Sequence, residues 1–315
     1  MNSYPELVAV GHICTDKIHI CEDFPAENTS KHVLEYTERP GGTASQAIVA
    51  ASRLGANTGF INYFGDDSCG RALYKGCVEE GIDLSQCITE AGVVASFTNV
   101  LVNKKKSTRT FLSYHGQFSP IEFTTNRIEY LRHARILHLD GTNYTNAFCA
   151  AGIAKKCGVT VSLDGSSMQT ENEKNWRLAE LADILIVNET YPTRLTGIAD
   201  PCMALMEMRR ELPCEVLIST VGEKGCIVLQ NNQLWQYPCY PVSVVDTTGA
   251  GDAFHGAFLF GTLRGYGLDK NIRFSSAVAA HSCTAIGGRE GLPTWKQADT
   301  LMKSFSLDPV KISNI

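Results

Sequence analysis

The chain has 315 residues, a formal net charge of -5 and 19% charged residues. It carries no dense basic stripe, which excludes nucleic acid as its main partner and favours a small solute. The length suits one large α/β domain built on a continuous sheet, so we expect a single domain over residues 1–315.

Twelve cysteines are scattered along the chain, without the Cys-x-x-Cys spacing of zinc sites or the pattern of a disulfide framework. We therefore expect reduced thiols. No segment approaches the ~20 apolar residues of a membrane span, and the N-terminus lacks a basic start followed by a long apolar run. These features predict a cytoplasmic protein that has no membrane partner.

The first predicted strand is the apolar run from Glu6 to Ile13, and Asp16 follows it. Because α/β sheets place ligands at the carboxyl ends of their parallel strands, Asp16 is a candidate ligand contact, with a turn-forming role as the alternative. Gly41-Gly42 precedes a helical pattern from Ala44 to Leu54. Paired glycines at a helix entrance let a ligand approach unpaired N–H groups, although they also serve simply to end elements.

Two separate segments, about 14–37 and 93–114, contain β-prone patches without helical periodicity. Residues 103–107 have the composition of a hairpin tip, and their three lysines are typical of a solvated turn. We expect these segments to form one small sheet. Arg109 lies just beyond the tip and is a candidate substrate contact.

Past Pro120, short apolar strands alternate with helical stretches, which predicts a parallel sheet with helices on both faces. The predicted strands cover 136–139, 159–163, 184–187 and 216–219. Polar residues follow each of them and indicate a site at one edge of the sheet, although each is also a common turn former. These residues are Asp140, Asp164, Asn188 with Glu189, and Thr220, which opens a loop containing Gly222 and Gly225.

The stretch from Val244 to Phe258 predicts a strand, a tight turn and a helix start. Gly249, Ala250 and Gly251 would let backbone N–H groups approach an anion at the positive end of the helix. A carboxylate beside that anion is repulsive unless it has a chemical task. Asp252 is therefore a candidate general base for phosphoryl transfer, the alternative being an acidic residue that stabilises its helix.

The motif Asp-Thr-Thr-Gly-Ala-Gly-Asp-Ala-Phe at 246–254 resembles the C-terminal signature of the ribokinase-like (PfkB) carbohydrate kinases. Residues 40–47, Leu54-Gly55 and 65–70 resemble the N-terminal signature of that family, so the resemblance covers essentially the whole chain. It implies an α/β three-layer fold with a mostly parallel central sheet and a small β-sheet lid. It also implies a kinase that uses ATP and Mg²⁺.

The resemblance assigns roles to individual residues. The implied sugar contacts are Asp16, Gly41, Gly42, Gln46, Arg109 and Asp140, and the implied nucleotide contacts are Asn188, Thr220, Gly222 and Gly225. In many members backbone oxygens also hold a potassium ion, which here implicates Asp246, Thr248 and Gly288. Several members pair two subunits through the lid, so a homodimer is also implied.

The chain departs from the family pattern at four positions. Cys14 and Gln46 stand where ribokinases have Asn, and Asp140 stands where they have Glu. Tyr191 replaces the acidic end of the family's Asn-x-x-Glu motif, which weakens the magnesium argument and leaves open whether Glu189 substitutes. In motif detail, including Gly287-Gly288 and the residues after it, the chain is similar to ketohexokinases and sulfofructose kinases.

The sequence thus predicts an ATP-dependent kinase that phosphorylates the hydroxymethyl group of a sugar, with a ketose or ketose derivative favoured. One alternative is a ribokinase or an adenosine-type nucleoside kinase of the same family, which would need an aromatic pocket for the base. Another, from a different class, is a catalytically silent sugar-binding regulatory protein. Sugar-stimulated ATP turnover would separate the kinase from the silent protein.

Overall fold

The computed structural model describes residues 4–106, 108–166, 171–230 and 232–312. The strands are β1 (Leu7–Val10), β2 (Cys14–Cys21), β3 (Glu35–Gly41), β4 (Thr58–Phe60), β5 (Tyr63–Gly65), β6 (Ile88–Glu90), β7 (Phe97–Asn103), β8 (Thr108–Tyr114), β9 (Ile136–Leu139), β10 (Thr160–Asp164), β11 (Ile184–Asn188), β12 (Val216–Thr220), β13 (Cys226–Gln230), β14 (Gln233–Tyr237) and β15 (Val310–Lys311). The helices are α1 (Thr43–Arg53), α2 (Ser68–Glu79), α3 (Thr125–Arg132), α4 (Tyr144–Cys157), α5 (Asn172–Ala179), α6 (Tyr191–Thr196), α7 (Pro201–Glu211), α8 (Ala250–Leu263), α9 (Leu268–Ser282) and α10 (Trp295–Ser304).

Nine strands form the main sheet, in the order β15-β14-β13-β12-β11-β10-β9-β1-β4. The six strands from β12 to β4 pair in parallel, whereas β13, β14 and β15 add an antiparallel edge. Every residue of β1 and β9 is buried, as expected for parallel strands covered on both faces. The predicted α/β fold with a mostly parallel sheet is confirmed.

Helices cover both faces of this sheet because neighbouring strand residues point to opposite sides. Leu137 belongs to the buried cluster that contains alanines 147, 150, 151 and 154 of α4. Its neighbour Ile136 belongs to the opposite cluster, which contains Phe254 and Phe258 of α8. The alanines of α4 therefore pack on one face of β9, and the phenylalanines of α8 pack on the other face.

A second sheet has four strands in the order β3-β2-β7-β8, drawn from the two segments that the sequence assigned to a small sheet. We call it the small sheet. In this sheet β7 pairs in parallel with β2. The edge strand β8 is exposed at every residue. The lysines 104–106 form a turn, and Ser107 of the predicted tip lies outside the described residues.

The predicted strand at Val244 and Val245 is wrong. Both side chains are exposed, and the segment has no strand partner among the described residues. Instead, the N–H groups of Val245 and Asp246 donate to the carbonyl oxygen of Cys283 at 2.8 and 3.2 Å. The end of α9 thus replaces a neighbouring strand as the support for this segment.

Within the ranges that the structure describes, no helix combines the length and the apolar character needed to cross a membrane.

Candidate active site

Carboxyl ends of the parallel strands bring the predicted polar residues to one edge of the main sheet. Asp140 follows β9, and Asp164, Asn188 and Thr220 end β10, β11 and β12. The N-terminus of α8 belongs to the same site, because Asp164 and Asp140 both perturb the carboxyl group of Asp252 electrostatically. The edge therefore unites acidic groups with the positive end of a helix.

The turn before α8 depends on Gly249. Its φ of 75° lies in the left-handed region, and an ideal Cβ there would stand 2.9 Å from the Cα atom of Gly288. A side chain at this position would therefore be strained and crowded. Gly249 is the N-cap of α8, and no side chain caps this end of the helix within the described ranges. Within the described residues the N–H of Ala250 donates to the carbonyl of Thr247 at 3.3 Å, whereas those of Gly251 and Asp252 have no protein acceptor and remain available to a ligand.

Gly251 differs from Gly249. It lies inside the first turn of α8, and an ideal Cβ built on it meets no atom within 4 Å apart from its chain neighbours and the backbone of its own helix. The protein fold leaves the space above Gly251 open. This is the arrangement expected where a ligand, and not the protein, approaches the backbone.

Asp246 holds the turn in shape. Its Oδ1 accepts hydrogen bonds from the N–H and the hydroxyl of Thr248 at 2.9 and 2.8 Å, and its Oδ2 accepts from the N–H of Gly287 at 3.0 Å. Burial alone would raise the pKa of Asp246, but these hydrogen bonds and the charge of Arg109 lower it below its usual value. Asp246 therefore ties the 246–249 turn to the Gly287-Gly288 segment as a stable carboxylate.

Asp252 is the carboxyl group whose environment most opposes ionisation. Burial raises its pKa well above the usual value, and repulsion from Asp164, Asp140 and Asp16 raises it further. A carboxylate destabilised in this way has a higher proton affinity than a solvated one. It is suited to take a proton from a hydroxyl group at neutral pH.

A buried acid–imidazole pair lies beneath this site. His255, one turn after Asp252 on α8, places Nε2 3.4 Å from Oδ1 of Asp164, and both side chains are buried. Although burial raises the pKa of Asp164, His255 and the N–H of Ser166 lower it to about 2. The His138 ring lies 5.5 Å from that of His255, and burial together with this neighbour lowers the pKa of His138 to about 4.

Asp16 on β2 lies close to its neighbour Cys14. The Cys14 thiol donates to Oδ1 of Asp16 at 3.5 Å, and burial and this carboxylate raise the pKa of the thiol well above its usual value. Burial also raises the pKa of Asp16, although Cys14 and Arg289 oppose this. An ideal Cβ on Gly41 would lie 2.2 Å from Oδ2 of Asp16, so a side chain there would displace this carboxyl group.

Asp140 is buried and already hydrogen-bonded within the protein. Its Oδ2 accepts from the N–H of His12, the hydroxyl of Thr43 and the N–H of Ala44 at 2.6, 2.6 and 3.1 Å. Its Oδ1 accepts from the N–H of Thr142 at 2.9 Å. Asp140 therefore joins the ends of β1 and β9 to the start of α1, where Gly42 provides the N-cap.

Gln46 is buried, and both ends of its amide have protein partners. Its Oε1 accepts from Nε of Arg289 at 2.5 Å, and its Nε2 donates to the carbonyl of Pro40 at 3.2 Å. Sequence reasoning assigned no role to Arg289, whose side chain is buried and also donates to the hydroxyl of Ser45 at 3.2 Å. The Gly287-Gly288 motif before it was the only available signal, since the burial of an arginine depends on distant residues.

Three of the predicted nucleotide contacts, Thr220, Gly222 and Gly225, line one cavity. It is bounded by Thr220, Gly222, Gly225, Cys239, Ala250, Gly251, Phe254, Ser276 and Ala279. Small side chains from α8 and α9 leave room for a flat group beside the first turn of α8. Asn188 stands apart from this lining. Its Oδ1 accepts from the N–H and hydroxyl of Thr190 and from the N–H of Tyr191 at 3.0 to 3.2 Å.

Arg109 reaches from β8 to the turn before α8. Its Nη1 donates to the hydroxyl of Thr248 at 2.6 Å, and its Nη2 to the hydroxyl of Thr247 at 3.4 Å. Its Nη1 also lies 3.5 Å from Oδ1 of Asp246. The structure thus places this predicted substrate contact beside the glycine turn.

Comparisons with known proteins agree with this geometry. The family model described as pfkB family carbohydrate kinase matches residues 5–295. The chain is 30% identical over 298 residues to a ribokinase of Haemophilus influenzae, covering 91% of this chain and 95% of that protein. It is 28% identical to fructokinase-1 of Oryza sativa subsp. japonica, covering 85% of this chain and 90% of that protein.

Among solved structures, the chain is similar to a ribokinase of Arabidopsis thaliana complexed with ribose and ATP. The TM-score is 0.85 at 25% identity, and the match covers 96% of this chain and 99% of that chain. The finer resemblance to ketohexokinases and sulfofructose kinases stays a prediction. The extent of the family match, together with the glycine turn and Asp252, establishes that the chain belongs to the pfkB family of carbohydrate kinases and is a phosphotransferase.

Proposed function

We propose that this protein transfers the γ-phosphoryl group of ATP to a hydroxymethyl group of a sugar, with a ketose or ketose derivative as the preferred acceptor. The observation that carries the proposal is the position of Asp252 in the first turn of α8, directly after the uncapped Gly249 to Gly251 turn. A proton acceptor and an anion-binding helix end are thereby held in one rigid element.

In the proposed reaction Asp252 accepts the proton of the sugar hydroxyl as its oxygen attacks the γ-phosphorus. One oxygen–phosphorus bond forms, the bond from the γ-phosphorus to the bridging oxygen breaks, and ADP leaves with that electron pair. The N–H groups of Gly249, Ala250 and Gly251 stabilise the charge on the transferring group. Asp252 later releases the proton to solvent.

Sugar binding rests on Asp16 and on the backbone around Gly41 and Gly42. Asp16 keeps carboxylate lone pairs beyond the one that Cys14 uses, so it is able to accept hydrogen bonds from sugar hydroxyls. Asp140 and Gln46 already form hydrogen bonds within the protein, so their role is to shape the sugar pocket and not to bind the sugar directly. Loss of the ribokinase Asn at Cys14 supports a preference for a sugar other than ribose.

The small-residue cavity next to Gly251 fits the nucleotide, with Thr220, Gly222 and Gly225 on one side and Ser276 and Ala279 on the other. Its junction with the first turn of α8 would bring the phosphate chain to the anion-binding N–H groups. The Gly225 backbone has a φ of 87° and no room for a Cβ, which keeps this loop tight.

The proposed reaction would use two cations, Mg²⁺ and K⁺. Mg²⁺, when bound, would neutralise phosphate charge, and it is normally held by phosphates, waters and one or two protein oxygens. Glu189, directly after β11, offers a carboxylate for this, whereas Oδ1 of Asn188 already accepts from Thr190 and Tyr191. The described ranges contain no self-sufficient cluster of three His, Cys, Asp or Glu ligands. For K⁺, the carbonyl groups of Asp246, Thr248 and Gly288 belong to segments that Asp246 already ties together.

A second candidate, a nucleoside kinase, is favoured by one specific observation. A cavity at the ends of β1 and β9 is lined by His12, His115, Tyr63 and Phe118, and the two imidazole rings lie 5.2 Å apart. Aromatic walls of this kind suit a nucleobase as well as the far end of a sugar. Asp16 would then bind the ribose hydroxyls.

The test is ADP release under saturating Mg-ATP and potassium with fructose, tagatose, a sulfonated ketose, ribose and adenosine. We expect the highest kcat/KM for a ketose. A value for ribose or adenosine at least tenfold above every ketose would overturn the ketose assignment and leave the kinase assignment standing. Sugar binding without ADP release would identify a silent sugar-binding protein instead.

We also propose a homodimer that pairs through the small sheet. Phe111 and Leu112 on β8 and Tyr36 on β3 are 58%, 59% and 53% exposed, so both edge strands of the small sheet carry exposed apolar side chains and an open edge for pairing. Light scattering of the wild type and of Phe111→Glu tests this, with a dimer expected only for the wild type.

Twelve free cysteines are in keeping with a reducing, cytoplasmic location, which fractionation of cells would test.

A further inference from the structure

The buried pair of His255 and Asp164 takes no part in the proposed reaction, although it adjoins the proposed base. His255 follows Asp252 by three residues on α8, so the two side chains lie on the same face of the helix. Nε2 of His255 lies 3.4 Å from Oδ1 of Asp164, and these side chains are 4% and 2% exposed. Within the described residues, His255 is the only basic side chain at ion-pair distance from Asp164. The pair therefore links the end of β10 to the helix that carries the base.

Negative charge is concentrated around Asp252. Asp164, Asp140 and Asp16 all repel its ionised form, in that order of strength. Four hydrogen bonds hold Asp140, and the Cys14 thiol donates to Asp16. Burial raises the pKa of this thiol well above its usual value, so Cys14 stays protonated and adds no charge. Asp164 is therefore the neighbour whose charge most favours the protonated, inactive form of Asp252.

His255 is the group that offsets the charge of Asp164. The other titratable neighbours of Asp164 are Tyr191 and His138. Burial and the Asp164 charge raise the pKa of the Tyr191 hydroxyl, so it is neutral. Burial and the adjacent His255 lower the pKa of His138 to about 4, so this imidazole is also neutral at pH 7. Any positive charge beside Asp164 therefore resides on His255.

The two imidazoles also leave polar atoms unpaired. Their ring centroids are 5.5 Å apart, and Nδ1 of His138 lies 3.2 Å from Oγ of Ser162. Nε2 of His138 and Nδ1 of His255 are buried and have no hydrogen-bond partner in the part of the chain that the structure describes. An apolar residue of similar size would avoid the cost of burying such an atom. Packing alone therefore does not explain a histidine at position 255.

We propose that His255 is a positioning residue that, by pairing with Asp164, keeps Asp252 available as the proton acceptor at neutral pH. This inference rests on the proposed kinase function. A carboxylate that is paired with an imidazole repels a neighbouring carboxylate less than an unpaired one does. Without the imidazole, Asp252 would hold its proton more tightly, and its active form would be lost at a higher pH. No proton moves to His255, and no bond is made or broken at its atoms.

The test compares the pH dependence of kcat/KM in the wild type, His255→Asn, Asp164→Asn and the double variant, with Mg-ATP and the sugar that gives the highest kcat/KM. Asparagine is too short to reach Asp164, so we expect His255→Asn to move the acid limb to higher pH. On that limb kcat/KM should fall at least about threefold, as for residues coupled by direct contact, whereas the alkaline plateau should stay within twofold of wild type. The double variant should follow Asp164→Asn alone, because it lacks the charge that His255 offsets.

Two further variants control for packing. His255→Gln keeps an N–H donor near the position of Nε2, so its acid limb should lie between those of the wild type and His255→Asn. His138→Asn removes the neighbouring buried imidazole, which is not at ion-pair distance from Asp164, and should leave the acid limb unchanged. Thermal unfolding followed by circular dichroism reports the stability of each variant.

A His255→Asn acid limb that coincides with the wild type would overturn the inference, as would the same shift with and without the Asp164 carboxylate. An equal shift in His138→Asn, or failure of both His255 variants to fold, would also overturn it, since either result would make the imidazole a packing feature. A wild type without sugar-stimulated ADP release would instead overturn the proposed function.

Discussion

The proposed phosphate side and the proposed sugar side of this site differ in how far their polar groups already have hydrogen-bond partners within the protein. At the start of α8 the N–H groups are uncapped and the space above Gly251 is open. On the sugar side, Asp140 and Gln46 already have protein partners at 2.5 to 3.2 Å. On the proposed assignment, phosphate binding would depend on backbone geometry that a short motif encodes, whereas sugar choice would depend on side chains held by residues distant in sequence.

Replacement of Asp252 by Asn should have the largest effect, because it removes the proposed general base. The amide fills the same space but has no affinity for the hydroxyl proton, so we expect kcat to fall by about two orders of magnitude or more. Calorimetric titration should show ATP and sugar affinities close to wild type. A variant that keeps most of its turnover would remove Asp252 from the role of base.

Gly251→Val tests whether the open space holds a phosphate. An added Cβ meets no atom within 4 Å apart from its chain neighbours and the backbone of its own helix, so the variant should fold, while the branched side chain obstructs an anion. We expect the affinity for Mg-ATP to fall at least about tenfold, in line with the loss of one or more charge-assisted hydrogen bonds. Gly152→Val, at an equally open position in α4, is the matched control. Equal ATP affinity in the two folded variants would show that no phosphate binds at Gly251.

Asp16→Asn tests whether the Asp16 carboxylate binds the sugar. Hydrogen bonds to a charged acceptor contribute about 1.5–3 kcal/mol, so we expect the KM for sugar to rise roughly tenfold or more. The KM for ATP in the same variant provides the internal control and should stay within twofold of wild type. A parallel rise in both constants would indicate a general defect of the site.

The pH dependence of kcat/KM tests the electrostatic environment of Asp252, and it is the smallest effect expected. Burial and the neighbouring carboxylates raise the pKa of Asp252, so its ionised, active form is lost as pH falls through a value above the ordinary range for aspartate. We expect an acid limb well above the reference value of about 3.9 for aspartate. Asp164→Asn removes the strongest of the three repulsions and should move the limb to lower pH. An acid limb at the reference value would contradict the electrostatic account.

Local patterns predicted the parts of the structure that depend on neighbouring residues. The apolar runs at 136–139 and 184–187 lie in β9 and β11, and the glycine turn leads into α8 where the motif places it. Both depend on side-chain period and on backbone freedom, which are properties of a few adjacent residues. The fold class followed from the alternation of such elements.

Features that depend on distant contacts were not predictable in this way. Val244 and Val245 have the composition of a strand, yet their segment is held by Cys283 at the end of α9. The burial of Arg289 follows from its contacts with Gln46 and Ser45, more than 240 residues earlier. Arg109 was expected near the substrate, but its partners Thr247 and Thr248 could be identified only once the small sheet was in place.

The most direct test of phosphoryl transfer to a sugar hydroxymethyl group is phosphorus NMR of the wild-type protein incubated with Mg-ATP, potassium and fructose. The account predicts ADP and, in equal amount, one phosphomonoester whose phosphorus couples to the protons of a terminal hydroxymethyl carbon. ADP accompanied by inorganic phosphate alone, or no ADP with any sugar or nucleoside from a folded protein, would contradict it.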